Sequence, residues 1–396
     1  MTDQRQLWPW AIDWQGGLVQ SAEFKTEIFA SRDMHEFRRA ARETARFSYE
    51  YSGSAKGAEA QAIVRVLETL IGETLVFANP IFRTTLDSPL VGATSVFTMA
   101  SIPDWLVVGS YIVFENQGER FLAIVDFIDV DEITLDANTT TTFPVGSTVL
   151  LGVRCRVNSK TQVTYRTNQV ITGKITLEDL PGLNYNPGDG TPYSLYNGKE
   201  VFLKKPNWAQ SITRNMDAAV DVVDFDYGRV SHNNYLDFVP SIWKAEYLGK
   251  TWDDAIELLQ FFIRQRGRRG EFYMPSQTAD LPLALGLTSG QSTFRVFGAE
   301  YADYASNPAQ RHVVIALKDG TQLFRRVSGI VADGAQSVFT VTAAWGSSVS
   351  LDQISYVGWL ATYRFAVDEM SVEWLTDSVA QFSTSFQLLR DLDESL

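Results

Sequence analysis

The chain has 396 residues, of which 45% are hydrophobic, 20% charged and 12% aromatic, a composition of folded material that excludes disorder along its whole length. A single cysteine, Cys155, excludes an intrachain disulfide, and with only three histidines it excludes a Cys/His zinc site and a Cys-ligated cluster. Lys and Arg total 34 against 47 Asp and Glu, a net charge of -13, so stable nucleic-acid binding is not expected because the long-range field repels phosphates.

The start, MTDQRQLWPW, has no basic run followed by an apolar core, so no secretion signal is expected. No stretch approaches the roughly 18–20 apolar residues that span a bilayer. Synthesis and folding in a cytoplasm, without membrane insertion, are the expectation. Trp8 and Trp10 flank Pro9 in an otherwise polar opening. They are interface candidates, able to anchor the terminus on a neighbouring surface.

The chain then repeats itself. Glu50-Tyr51-x-Gly53 recurs as Glu246-Tyr247-x-Gly249, and Gly72, Phe77, Pro80 recur as Gly267, Phe272, Pro275, at an offset of 195 or 196 residues. Between these markers Ala62, Ile63, Val66, Leu67 and Leu70 follow helical spacing, as do Ala255, Ile256, Leu259, Phe262 and Ile263. Thr251 is placed to cap the second helix through its hydroxyl, and Gly72 and Gly267 to end the two helices.

After each helix the pattern turns to short β runs broken by Gly, Asn and Asp. They cover 95–99, 111–115, 121–127, 132–135 and 148–153 in the first half, and 293–297, 313–317, 323–330, 338–341 and 353–357 in the second. Alternating strands close each half at 162–167 and 371–374. Gly152 and Gly358 stand 206 apart, so the second half holds about ten more residues. Surface loops accept such insertions best, and AEYADYASNPAQR before Val313 is the main expected place. Between the halves, 181–198 is dense in Pro, Gly, Asn and Asp and reads as a connector without a core of its own.

Chemistry-bearing motifs are scarce. There is no GxxxxGK[ST], no GxGxxG after a strand, no HExxH and no GxSxG. His35, His232 and His312 lie in contexts that suggest no nucleophile partner, and read as surface or hydrogen-bonded side chains. The acidic stretch 126–138 lacks the EF-hand order of ligands and reads as a hairpin with a solvated turn. NPGDGT at 186–191 is explained by turn chemistry. RQRGRRGE, 264–271, is the densest basic patch. Its Arg264, Arg266, Arg268 and Arg269 suit a helix C-terminus, and are interface candidates for an acidic neighbouring subunit.

The segment 21–51, SAEFKTEIFASRDMHEFRRAARETARFSYEY, resembles the opening of the distal tail proteins of long-tailed bacteriophages and of related gene transfer agents. There a strand pair leads into a Glu/Arg-rich stretch, an Arg-containing strand, a helix and an aromatic-rich F/W-x-x-P segment. The matching positions are Thr26, Ser31, Glu36, Arg38 and Arg46, a helix over about 58–71, and Phe77 to Pro80. In the second half YLGKTWDDAIELLQFFIRQRGRRGEFYMPS matches the later part more clearly. Its opening keeps Arg229 and Tyr235 but not the Glu/Arg cluster. Ordinary members carry one such module, whereas this chain reads as two.

The fold expected is mainly β with a few α-helices: a tandem duplication of a tail-tube-like β module with one packed helix, each copy carrying an inserted small β-barrel-like domain. The first module takes 1–85 and 156–180 with an insert at 86–155. A linker spans 181–200, and the second module takes 201–280 and 361–396 with an insert at 281–360. The resemblance implies a structural virion protein, no enzyme, with no cofactor and no metal. It would form a ring at the distal end of the tail tube, joining the tube to the hub and receptor-binding parts. Its implied partners are itself, as a trimer with pseudo-sixfold symmetry or as a hexamer, the tail tube protein, the tail hub protein and, as a further candidate, the tape measure protein. An acidic lumen would not hold passing DNA by its phosphates. A baseplate hub protein and a carbohydrate-binding adhesin are the alternatives, with a cell-wall-degrading enzyme behind them.

Overall fold

The computed structural model describes residues 6–31, 35–70, 73–158, 161–180, 188, 190–217, 220–224, 226–228, 230–234, 239–307 and 309–391. Gly72, Arg229, Tyr235 and most of the connector 181–189 lie outside the described residues.

The first half runs through β1 (Leu18–Ala30), β2 (Glu36–Lys56), α1 (Gly57–Leu70), β3 (Leu75–Thr85), β4 (Val96–Thr98), β5 (Tyr111–Asn116), β6 (Glu119–Ile128), β7 (Glu132–Leu135), β8 (Thr148–Val157), β9 (Gln162–Tyr165) and β10 (Val170–Asp179). A short hairpin, β11 (Leu195–Tyr196) and β12 (Lys199–Glu200), leads into the second half. There follow β13 (Thr213–Met216), β14 (Val220–Asp224), β15 (Val230–Asn234), β16 (Ser241–Gly249), α2 (Trp252–Gln265), β17 (Phe272–Pro275), β18 (Thr293–Phe297), β19 (His312–Leu317), β20 (Gln322–Asp333), β21 (Gln336–Val341), β22 (Ile354–Phe365), β23 (Glu369–Trp374) and β24 (Ala380–Leu388). The protein is mainly β, built on large antiparallel sheets.

Strand pairing follows one order in both halves. In the first, β1 pairs with β2, β2 with β10, and β10 with both β9 and β8. Strand β8 lies between β3 and β5, and the ladder continues through β6 and β7 to β4. In the second, β13 pairs with β16, β16 with β24, and β24 with both β23 and β22. Strand β22 lies between β17 and β19, and the ladder continues through β20 and β21 to β18. Residues 281–359 of the second half hold a hydrophobic cluster of their own around Phe294, Phe339, Trp345 and Trp359. The corresponding strands of the first half share the main cluster.

Alternation fixes which face of each strand is buried. On β2, Phe47, Tyr49 and Tyr51 point into the core, while Ser48, Glu50, Ser52 and Ser54 point away from it. On β16, Trp243, Ala245 and Tyr247 take the same inward positions. The helices cover this face. Ile63 and Val66 of α1 are buried, and α2 buries Ala255, Ile256, Leu258, Leu259, Phe261, Phe262 and Ile263. A buried Leu or Phe contributes about 1.5–3 kcal/mol, so this face of α2 decides its place more than helix propensity does. The Thr251 hydroxyl accepts the Asp254 N–H at 3.2 Å, as the spacing predicts. The left-handed residue that ends α2 is Arg266 (φ 52°), one position before the expected Gly267.

Trp8 and Trp10 correct the reading of the opening segment. Both are buried in this chain's own core, with 1% and 2% exposure, and so are not offered to a neighbour. The Trp8 N–H donates to the Val76 carbonyl at 2.7 Å, and its indole N–H reaches the Tyr51 hydroxyl, which in turn donates to the Trp10 carbonyl at 3.0 Å. The indole of Trp10 lies so close over the sheet that a Cβ on Gly53 would sit 2.3 Å from its Nε1, and one on Gly173 2.9 Å from its Cη2. The second half begins the same way: the Phe202 N–H donates to the Tyr273 carbonyl at 2.7 Å, and the Phe202 ring packs against Tyr247.

Two further expectations change in detail. The segment before β19 folds as a 3-10 turn, Glu300–Ser306, but is only slightly longer than its counterpart before β5, so the additional residues are spread over several turns. The described part of the connector also has packing of its own. Tyr193 stands edge-on to Phe202 and Phe261, and Tyr196 edge-on to Tyr273. The acidic stretch 126–138 folds as the β6–β7 hairpin.

Candidate functional site

The two halves meet through a set of specific contacts. Strand β1 of the first half pairs antiparallel with β23 of the second, from Leu18 opposite Trp374 to Glu23 opposite Glu369. This joins the two into one eight-stranded band in the order β9-β10-β2-β1-β23-β24-β16-β13. Crossing the join displaces the recurring Glu-Tyr-x-Gly motif by two residues. Gly249 faces Ala380, Ala380 faces Trp374, Trp374 faces Leu18 and Leu18 faces Tyr51. The row of one repeated glycine thus runs into the row of the other repeated tyrosine.

Side chains from β23 fill the core side of the join. Met370, Val372 and Trp374 are buried against Gln20, Ala22 and Phe24 of β1. The Trp374 indole N–H donates to Gln20 Oε1 at 3.1 Å, satisfying two buried polar groups at once. The ring of Phe24 meets that of Phe262 on α2 at 5.8 Å. On the far side the Trp252 indole N–H donates to the Ile81 carbonyl at 2.7 Å, and its ring stands edge-on to Phe82.

Beyond the join the β1–β2 hairpin continues as an arm over the second half, and charge holds it there. The Asp368 carboxylate accepts from the Thr26 N–H at 2.7 Å, the Thr26 hydroxyl at 2.9 Å and the Arg268 N–H at 2.9 Å. Arg364 forms a bidentate pair with Glu36, both bonds at 2.8 Å, with the two side chains almost fully buried. Arg38 donates to the Arg269 carbonyl at 2.8 Å and pairs with Glu271. Burial pushes the Glu271 carboxyl up, but the Arg38 and Lys199 charges outweigh it and hold the group below the usual carboxylate range.

The basic patch has acidic partners inside the chain, while Arg266 and Arg269 stay partly exposed. Arg266 and Arg269 pair with Glu43 of the arm. Arg264 turns away, pairs with Glu200 of β12 at 2.9 Å and lies over the ring of Tyr193. Arg268 contributes its backbone N–H to Asp368. Of the positions matched by resemblance, Thr26, Glu36 and Arg38 meet at this arm. Ser31 stands at the hairpin tip, where its N–H donates to the His35 carbonyl, and Arg46 is exposed on the outer face of β2. Glu43, Arg364, Asp368 and Trp374 were missed. Only the inward alternation of Met370, Val372 and Trp374 could have marked the last of these as an interface strand.

His312 is the one histidine built into a buried cluster among the described residues. Its ring bonds the Tyr196 hydroxyl at 3.0 Å on one nitrogen and the Asp391 carboxylate on the other. The cluster ties the connector hairpin, β19 and the end of β24 together, and no Ser or Cys hydroxyl or thiol is hydrogen-bonded to the ring among the described residues. Among the described residues no group of three His, Cys, Asp or Glu is placed to hold a metal ion, and no helix is long and apolar enough to cross a membrane. No protein-family model matches the chain, and a search of curated proteins finds no match.

Proposed function

We propose that the chain is a tandem duplication of one β module, each copy carrying a small inserted β domain, and that it acts by assembly as a ring at the distal end of a phage-type tail tube. In this reading it joins the tube to the hub and receptor-binding parts and catalyses no reaction. Its partners are copies of itself, the tube protein on one face and the hub protein on the other. Three chains presenting six modules, or six chains in two layers, would make the ring.

The observation that carries the reading is the join itself: two halves with the same pairing order meet through unlike edges, β1 of one and β23 of the other. A contact between unlike edges is heterologous, and repeated rotation of such a contact makes rings. The sheet face away from the helices supports the same reading. It is lined by small polar side chains, with Ser21, Ser48, Ser52, Ser54, Thr172, Thr176, Ser371, Ser383 and Ser385 interspersed with charges of both signs. Such a wall offers passing DNA neither stacking platforms nor a uniformly basic track.

Electron cryo-microscopy of assembled particles tests the proposal. A ring of paired modules at the distal end of the tube is the expected image. Density on the tail axis below that ring would make the chain a hub protein, and its absence from particles would remove the reading.

A further inference from the structure

Between β13 and the 3-10 turn Glu300–Ser306 lies a cleft of about 690 Å³, within the roughly 300–1,000 Å³ of small-ligand sites. It opens where two hydrophobic clusters adjoin without merging. Trp243 and Tyr363 belong to the main cluster, and Trp359 to that of residues 281–359. Six aromatic side chains line the cleft, and two of them, Trp208 at 55% and Tyr304 at 39%, are exposed beside the equally open Met216. The rings of Tyr304 and Trp359 lie 6.1 Å apart, and those of Trp243 and Tyr363 6.4 Å apart. An indole, a phenol and a thioether left in water at one rim add little to folding and mark a contact surface.

Polar groups in the cleft have bonding capacity to spare. The Trp243 indole N–H is buried without an acceptor among the described residues. The Tyr363 hydroxyl makes no hydrogen bond among them either, and burial pushes it up to about 12, so it stays a neutral donor. Arg214 donates through Nε to the Ser241 hydroxyl at 3.1 Å, which leaves its two terminal nitrogens for another acceptor. Asp280 is held in place by the Trp359 N–H at 3.0 Å and the Thr278 hydroxyl at 2.5 Å, and its carboxylate keeps further lone pairs. Asn307 and Gln310 add two amides, bonded to each other at 3.1 Å. Arg214 and Asp280 are the only charged side chains in the lining, so it carries no net charge.

This mixture selects a ligand chemistry. A sugar ring offers an apolar C–H face to an aromatic ring, and a rim of hydroxyls, each both donor and acceptor, to planar guanidinium, carboxylate and amide groups. A phosphate-bearing ligand would call for more than one cation, and a lipid chain for a lining without Arg214 and Asp280. The net charge of -13 works against acidic glycans. We infer that this cleft binds a neutral oligosaccharide, with Trp208 and Tyr304 as stacking platforms at its mouth and Arg214, Asp280 and Tyr363 holding sugar hydroxyls within. All of these residues belong to the second half of one chain. The inference therefore rests neither on a ring nor on its place in a particle.

The full chain, applied to an array of neutral and acidic oligosaccharides built from hexose and N-acetylhexosamine units, tests the inference, with each retained glycan then titrated by calorimetry. At least one neutral glycan is expected to be retained. Trp208→Ala and Tyr304→Ala, both at exposed positions, are each expected to weaken it about tenfold. Tyr363→Phe removes an oxygen that bonds nothing else among the described residues. It is expected to weaken binding about three- to tenfold while the urea midpoint stays where it is. Tyr165→Ala, at an exposed aromatic on β9, should leave binding unchanged. Retention of no neutral glycan, or retention that Trp208→Ala and Tyr304→Ala do not alter, would overturn the inference. A preference for acidic over neutral glycans would overturn it as well, and so would a proline-rich peptide pool bound through Trp208 and Tyr304 in place of any glycan.

Discussion

The Trp374 indole N–H and the Gln20 carbonyl oxygen, 354 residues apart in sequence, meet at 3.1 Å with both side chains buried. Gln20→Leu leaves the indole donor buried without an acceptor and is expected to cost about 1–3 kcal/mol. Trp374→Ala removes the ring as well, and about 3–5 kcal/mol is expected from the cavity. Urea denaturation of the two variants would check the order. Equal midpoints for wild type and Trp374→Ala would mean that β23 does not hold the halves together.

Asp368 joins three donors from two halves. Asp368→Ala leaves the Thr26 and Arg268 amides without their charged acceptor, and a loss of about 2–4 kcal/mol is expected. Asp368→Asn keeps one oxygen and should lose less. Hydrogen exchange at the Thr26 amide provides a local readout: it should accelerate in both variants, and more in the alanine one.

The arm is expected to loosen in acid. Glu271 titrates below its ordinary value of 4.5 in the folded chain because Arg38 and Lys199 favour its charged form. Its contribution is therefore fully present above that ordinary value and is lost as pH falls through the lower, folded one. Glu271→Gln should flatten this part of the stability profile between neutral pH and acid. An unchanged profile would show that Glu271 is not among the groups responsible.

Gly53 and Trp10 should behave as one unit. A methyl group at Gly53 meets the indole at 2.3 Å, so Gly53→Ala is expected to cost about 1–3 kcal/mol by overpacking. In a Trp10→Ala background the same change should cost almost nothing, which a double-mutant cycle measures directly. Additive losses would place the strain elsewhere.

On the proposed tail-tip reading, charge on the serine-lined face should matter to DNA release and little to folding. Ser371→Arg and Ser383→Arg add exposed cations there. Each is expected to shift stability by no more than about 0.5 kcal/mol, as surface substitutions do. In particles, slowed DNA ejection at low salt that recovers at high salt is the expected signature. Unchanged ejection would argue that this face does not line the passage.

Local pattern in the sequence carried much of the fold. Period-two alternation located strands such as 132–135 and 293–297 because one face of each is buried. The cap at Thr251 was legible because it needs only its own next turn. Trp8 and Trp10 misled because their burial depends on Tyr51, Gly53 and Gly173, which lie far along the chain and reach the opening segment only through the sheet. The contacts of the arginine patch were hidden for a related reason. Glu43 becomes a neighbour of Arg266 and Arg269 only once the arm of one half lies over the other. That Phe202 repeats the place of Trp8 was also readable in principle, since the two stand 194 residues apart, close to the offset of the other markers.

In the proposed ring, the slip of two residues at the join would set geometry on a larger scale. A belt of strands that advances by a fixed amount at each seam cannot close with its strands upright. They must lean, and the bore then follows from the number of strands and the accumulated slip, whatever the size of the side chains within it. In the ring proposed above, Leu18 and Trp374 would thus act as a gauge written once inside every polypeptide.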